Sequence, residues 1–222
     1  ALCEEEFGVK ASWTLDPVWL LPAEEYEKVM ESEADLPDEF IFAYIFQPLP
    51  DKLNMIKYLS DKLGKKVVFV PDLNEEHRRQ FGEFKIYDFI YYDSMTVPVW
   101  LTAVKNADFV ITDSYHGMCF SIIFRKQFAA LYPRDGMGRF ADIQSFLNIS
   151  DRINIRSTDE IEKALFRPID YTEIESILNK KIEHDRDELR DTLKKTRVKY
   201  MDTLIKELED VILAKKILKK LN

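Results

Sequence analysis

Histidine, cysteine and glycine are scarce in this chain, and each scarcity removes a class of function. Three histidines (His77, His116, His184) and two cysteines (Cys3, Cys119), with no Cys-x-x-Cys spacing, leave no metal centre written in the sequence. Two lone thiols fit a reducing cytoplasm better than a disulfide-stapled secreted fold. Six glycines and nine prolines in 222 residues argue against a fibrous or low-complexity chain. No apolar run approaches the ~20 residues needed to cross a bilayer. The opening Ala1-Leu2-Cys3-Glu4-Glu5-Glu6 is acidic where a secretory signal is basic. The missing initiator Met points to a piece of a longer protein, or to removal of the Met by processing. Forty acidic residues against 32 basic ones give a net charge of -8, which disfavours nucleic acid or an anionic lipid surface as a partner. A local basic pocket for a phosphorylated ligand is compatible with that balance. The expectation is a soluble cytoplasmic chain.

What is present is material for a packed core: 46% hydrophobic residues and 15 phenylalanines. Phe40 to Phe46 is an apolar run stopped by Gln47-Pro48-Leu49-Pro50, as expected of a strand buried on both faces. Leu53, Ile56, Leu59 and Leu63 repeat at helical spacing up to Gly64, a C-cap. Strands are predicted at 66–70, within 85–92, at 108–112 and at 127–131. Helices are predicted at 97–107, with Pro98 in the first turn, and at 118–124. This alternation predicts an α/β domain, a Rossmann-like open parallel sheet with flanking helices. After Arg139 the pattern turns helical: 140–147, 158–166 behind Ser157, then a long C-terminal extension. Along it Leu189, Leu193, Arg197, Met201, Leu204, Leu208 and Val211 trace a mostly apolar stripe. Packing on the domain's own flank or on a missing domain is the plain reading of that stripe. Pairing with a second copy, or membrane-surface contact through Lys215 to Lys220, are the others. The expected division is a lead-in segment at 1–35, the sheet domain at 36–168 and the helical extension at 169–222.

In an open parallel sheet, ligands bind beyond the carboxyl ends of the strands. The segment Thr112-Asp113-Ser114-Tyr115-His116-Gly117 sits there and gathers two hydroxyls, a carboxylate, a phenol and an imidazole. Gly117 would let the backbone turn tightly and a ligand come close. The first amides of the following helix make an anion site. His116 can donate or accept a proton there, or merely cap the helix. Asp113 can orient His116 or cap the helix itself. Downstream, Arg134-Asp135-Gly136-Met137-Gly138-Arg139 places Arg134, Gly138 and Arg139 at the same end of the sheet. A guanidinium there can grip a phosphate or carboxylate with two parallel hydrogen bonds, or Arg139 can pair with Asp142. Cys119 reads as a small core residue. His77 and His184 lie in charged stretches and read as solvated.

The block Ala107 to Gly117, continuing through Phe120-Ser121-Ile122-Ile123-Phe124 and Gln127-Phe128, resembles the core signature of the polysaccharide pyruvyl transferase family. Leu15-Asp16-Pro17-Val18-Trp19-Leu20-Leu21 is similar to the family's lead-in to its second domain. Arg139-Phe140-Ala141-Asp142-Ile143 with Phe146-Leu147 resembles its downstream arginine-and-leucine segment. The resemblance implies the second half of a GT-B-like fold, with the active site in the cleft between the halves. It implies transfer of pyruvate from phosphoenolpyruvate to a sugar of a bacterial cell-surface polysaccharide or its lipid-linked precursor. His116 would be the general acid, and Arg139 would hold the donor's phosphate or carboxylate. Phosphoenolpyruvate is then a co-substrate, and no cofactor is called for. The missing N-terminal domain would supply acceptor contacts, so this piece alone would be inactive, and the work would lie at the inner face of the membrane. One position departs: relatives carry an arginine where this chain has Ser114, two residues before the histidine. That keeps two alternatives in view. One is a group transferase on the same scaffold using a nucleotide-activated donor. The other is a non-catalytic binding domain whose long helix recruits a partner.

Overall fold

The computed structural model of the chain describes residues 2–32, 34–71, 87–133 and 136–221. Arg134, Asp72 and His77 lie outside the described residues. Two compact units emerge: Pro17–Leu178, and Ala1–Asp16 together with Asn179–Asn222.

The larger unit is built on six strands: β1 (Phe40–Ile45), β2 (Lys66–Pro71), β3 (Ile90–Tyr91), β4 (Phe109–Thr112), β5 (Phe128–Leu131) and β6 (Ile153–Ile155). All pair in parallel, in the order β3-β2-β1-β4-β5-β6. Parallel strands need crossover connections, and helices supply most of them: α3 (Pro50–Leu63), α4 (Val97–Asn106), α5 (Tyr115–Ile123) and α6 (Gly138–Leu147). Short helices α1 (Leu2–Phe7) and α2 (Ala23–Glu27) precede the sheet. Helices α7 (Thr158–Phe166) and α8 (Tyr171–Leu221) follow it.

Strand β1 is apolar throughout because both of its faces are covered. Ile41, Ala43 and Ile45 join one buried cluster with Leu53, Ile56 and Leu59 of α3 and Ile161 of α7. On the opposite face Phe42 meets the edge of Trp100 from α4. Gly64 ends α3 in the left-handed conformation, φ 63°, as the sequence predicts. Ser157 caps α7 by accepting from the amide of Glu160.

Three expectations are corrected. Strand β6 forms where only helix was read; it is three residues long, too short to carry a periodic signal. Helix α5 begins at Tyr115, three residues earlier than predicted, so His116 and Gly117 belong to its first turn and not to the loop. The unit boundaries also shift: Trp19 is buried, Tyr26 packs edge-on against Phe120, and Ile174 and Leu178 are buried, so 17–35 and 169–178 belong with the sheet.

In the smaller unit the carboxylate of the buried Asp185 accepts from the Leu15 amide (2.9 Å) and from Lys181 Nζ (2.6 Å). Ser12 donates to Glu188 (2.6 Å), and Lys181 lies over the Trp13 ring. These contacts tie residues 12–15 to α8. Further along α8, Leu189, Leu193 and Met201 of the predicted stripe are exposed. Among the described residues no helix is long and apolar enough to cross a membrane.

Candidate active site

The strand order reverses between β1 and β4: the chain first winds outward through β2 and β3, then returns to the other side of β1 through β4. At such a switch point the loops leaving two adjacent strands diverge and open a crevice at their carboxyl ends. A cleft of about 760 Å³ lies there, lined by Tyr44 near the end of β1 and Phe46 just past it, Val70 and Pro71 at β2, and Ser114 and His116 after β4. Tyr26, Trp100 and Phe120 complete an aromatic wall. Trp100 meets Tyr44 at 5.3 Å and Phe120 at 5.4 Å between ring centroids, both edge-on. The indole N–H of Trp100 is buried and has no acceptor among the described residues.

The turn that presents His116 is fixed from below by side chains it carries itself. Thr112 is fully buried; its hydroxyl donates to the Tyr44 carbonyl (2.6 Å) and accepts from the Ser114 amide (3.1 Å). Ser114, 1% exposed, caps α5 by accepting from the Gly117 amide (3.3 Å). The cap therefore comes from Ser114 and not from Asp113 or His116. The Asp113 carboxylate turns to the β1–α3 loop. One oxygen accepts from the Phe46 amide (2.6 Å), the other from the Gln47 amide (3.1 Å) and from Lys52 Nζ (2.7 Å). Both partners of that ion pair are buried, with 0% and 2% of their side chains exposed. Three donors, one of them the Lys52 countercharge, offset the cost of burying a carboxylate. Asp113 thus staples the carboxyl ends of β1 and β4 together, a role neither of its two sequence readings described.

Gly117 also has a different reason from the one expected. Its backbone is ordinary helix. A β-carbon there would lie 2.4 Å from Thr112 Oγ1 and 3.1 Å from both Thr112 Cβ and Cγ2. The glycine makes room for the threonine that shapes the turn.

His116 is exposed, between the buried Tyr115 and the buried Gly117. Tyr115 is a platform more than a surface group: its ring meets His116 edge-on at 5.6 Å and Phe140 at 5.7 Å, and the Arg139 guanidinium lies over it at 4.2 Å. Arg139 stands exposed in the first turn of α6, behind Gly138 at φ 35°. The structure therefore brings Ser114, Tyr115, His116 and Arg139 into one neighbourhood and puts Thr112 and Asp113 underneath it.

A second polar cluster, missed in the sequence, adjoins the ion pair. Tyr132, just past β5, takes Lys52 Nζ (4.5 Å) and Arg156 (4.7 Å) against its ring and donates its hydroxyl to Asp51 (2.6 Å). Burial and the hydrogen bond to Asp51 push its pKa up to about 12. Nothing in the sequence marks Lys52, the third residue of an amphipathic helix, as buried. In the smaller unit His184, Asp185 and Glu188 bring potential metal-binding atoms within 4.8 Å of one another, with Lys181 already on Asp185.

No curated protein matches the sequence. Among solved structures, the UDP-GlcNAc 2-epimerase of Methanocaldococcus jannaschii, determined with UDP-GlcNAc and UDP, is similar at 14% identity and a TM-score of 0.45. The match covers 70% of this chain and 46% of the epimerase, so the chain spans about half the length of that relative. The sequence itself matches the polysaccharide pyruvyl transferase family over residues 2–135, a span containing the aromatic cleft, the Asp113 staple and His116. The chain belongs to the polysaccharide pyruvyl transferase family.

Proposed function

We propose that this chain is the donor-handling half of a GT-B-like transferase that moves the pyruvyl group of phosphoenolpyruvate onto a sugar of a cell-surface glycan or its lipid-linked precursor. The observation that carries the reading is the placement of His116. It stands exposed on the first turn of α5, beside the cleft at the strand-order switch, within the family-matching span. In the proposed reaction the imidazolium of His116 protonates the methylene carbon of the enol, turning the C=C pair into a C–H bond. The neighbouring carbon becomes electrophilic. A sugar hydroxyl adds to it and loses its proton, the C–O bond to phosphate breaks, and a second hydroxyl closes the ketal. Phosphoenolpyruvate and a diol give a cyclic ketal and inorganic phosphate, with no electron left over and no metal required.

Arg139 is the donor's anion partner in this scheme. Its cation–π contact with Tyr115 holds it beside the turn bearing His116. The amides at the start of α5 add a second positive pole. Ser114, where relatives carry an arginine, is occupied as the α5 cap, so Arg139 carries the charge recognition. In this reading the site works in the cytoplasm, on a precursor at the inner face of the membrane.

Calorimetric titration of phosphoenolpyruvate against the chain, with CDP, UDP and GDP in parallel, tests the proposal. Phosphoenolpyruvate is expected to bind, and Arg139→Ala to weaken it by about tenfold or more, the worth of a charge-assisted hydrogen bond. Binding of a nucleotide in place of phosphoenolpyruvate would transfer the proposal to a nucleotide-activated donor.

A further inference from the structure

A guanidinium taken out of water needs partners for its N–H groups, and Arg152 is short of them. It closes the short turn Ser150–Arg152 and leads into the edge strand β6 at its amino end, away from the cleft at the carboxyl ends. Its side chain is 1% exposed. Nη1 reaches the Phe128 carbonyl only at 3.4 Å, and the Asp151 carboxylate stands 3.7 Å from Nε. Nη2 is buried and has no partner among the described residues. Burial pushes the Arg152 pKa down, and Asp151 opposes that only in part. The side chain lines a cavity of about 160 Å³ between this turn and the start of α8. Such a space is several times the roughly 30 Å³ of one water molecule. It is well below the roughly 300–1,000 Å³ of sites for nucleotides or other drug-sized ligands.

We infer that this cavity is a site for a small oxyanion of the phosphate or sulfate type, held by Arg152, by Arg167 and by the start of α8. Arg167 brings a second guanidinium to the cavity, and Glu173 and Ile174 line it from the first turn of the 51-residue helix. A helix start carries unpaired amides and a partial positive charge, which favour an anion. Three carboxylates also line the cavity: Asp151, Asp170 and Glu173. All three residues are exposed, so solvent screens their charge, whereas nothing screens the buried Arg152. Asp170 is also engaged as a cap, accepting from the Thr172 amide (2.9 Å). An oxyanion therefore supplies what the Arg152 Nη2 lacks and ties the first turn of α8 to the edge of the sheet. The site lies at the other end of the strands from His116 and Arg139, so it does not rest on the transfer reaction proposed above and does not compete with its substrates. Its occupancy stabilises the fold in step with the free anion concentration.

The test follows amide chemical shifts of the chain by NMR while inorganic phosphate, sulfate or acetate replaces chloride at constant ionic strength. Phosphate and sulfate are expected to move the amides of Arg152, Glu173 and Ile174 together and saturably. Arg167→Ala should weaken that binding by about tenfold, the worth of a charge-assisted hydrogen bond, and Arg152→Met should abolish it. Arg139→Ala, at the other end of the sheet, should leave it unchanged. Phosphate should also raise the urea midpoint of the parent more than that of Arg167→Ala, a comparison that separates this site from the general stabilisation such salts give. Amides that stay silent to every anion at tens of millimolar would overturn the site and leave ordered water as the partner of Nη2. Shifts of equal strength in Arg167→Ala, whose exposed side chain can be cut back without loss of the fold, would overturn it too. Acetate binding more tightly than phosphate would overturn the assignment to a tetrahedral oxyanion.

Discussion

Replacing Gly117 with alanine adds one methyl group, and the structure says where it goes. The new β-carbon would sit 2.4 Å from Thr112 Oγ1, well inside van der Waals contact. The threonine cannot swing away without loss, because its hydroxyl bridges the Tyr44 carbonyl at 2.6 Å and the Ser114 amide at 3.1 Å. The bond to the Ser114 amide is buried and the one to the Tyr44 carbonyl is part-buried. Overpacking of this kind costs about 1–3 kcal/mol. Leaving the Ser114 amide or Tyr44 carbonyl without a partner costs roughly another 1–3 kcal/mol. Alanine returns about 1 kcal/mol as a better helix former than glycine. The net expectation is a loss of about 3 kcal/mol, read as a lower urea midpoint with an unchanged slope. Thr112→Ala alone should also destabilise, through the same two hydrogen bonds. In the double variant the oxygen that clashes is gone, so its loss should be smaller than the sum of the two single losses by more than about 1 kcal/mol. If Gly117→Ala stays within about 0.5 kcal/mol of the parent, or if the two losses simply add, the steric account of this glycine is wrong.

Three further predictions address the groups around the turn. Lys52→Met should cost about 3–5 kcal/mol by stranding the buried Asp113 charge, and Lys52→Met with Asp113→Asn should cost less than the sum of the singles; denaturant unfolding of the four proteins measures the coupling. The Tyr132 phenol, held up to about 12 by burial and by Asp51, favours the folded state only while it keeps its proton. That contribution is complete below pH ~10, the unfolded value, and fades as pH rises toward 12. Tyr132→Phe should therefore flatten the loss of stability over pH 10–12 and remove one late phenolate step from the ultraviolet titration. Finally, in the assembled enzyme His116→Gln should cut turnover by about 10²–10⁴ while leaving phosphoenolpyruvate affinity nearly intact, as removal of a general acid does and removal of a binding group does not.

The buried pair bears on how the site stays open. An ion pair of this kind adds little net stability compared with apolar residues of the same shape. What it adds here is geometry: the ends of β1 and β4 border the cleft, and the Asp113 carboxylate is the point where amides from one loop and the backbone of the other converge.

The sequence by itself determined the parts whose signals are local. Phe40 to Ile45 reads as a doubly buried strand because all six residues are apolar or aromatic. Gly64 reads as a helix end because only a left-handed residue closes α3 there. Ser157 reads as a cap from its spacing to Glu160. The alternation of such elements is enough for an open parallel sheet, and the run from Thr112 to Gly117 after a strand points to the end of the sheet where the cleft lies. Tertiary structure decided the partnerships. Asp113 and Lys52 are 61 positions apart, and nothing near either one in the chain says that they meet. Trp100 and Phe120 read as ordinary helix residues until the sheet brings them to one wall with Tyr44. Gly117 looks like a flexible turn residue and proves to be a space for Thr112. The first two depend on side chains from separate crossovers arriving at the same strand ends, whereas Gly117 and Thr112 meet within one strand-to-helix turn. That convergence is set by the strand order, and no sequence window short enough to read contains it.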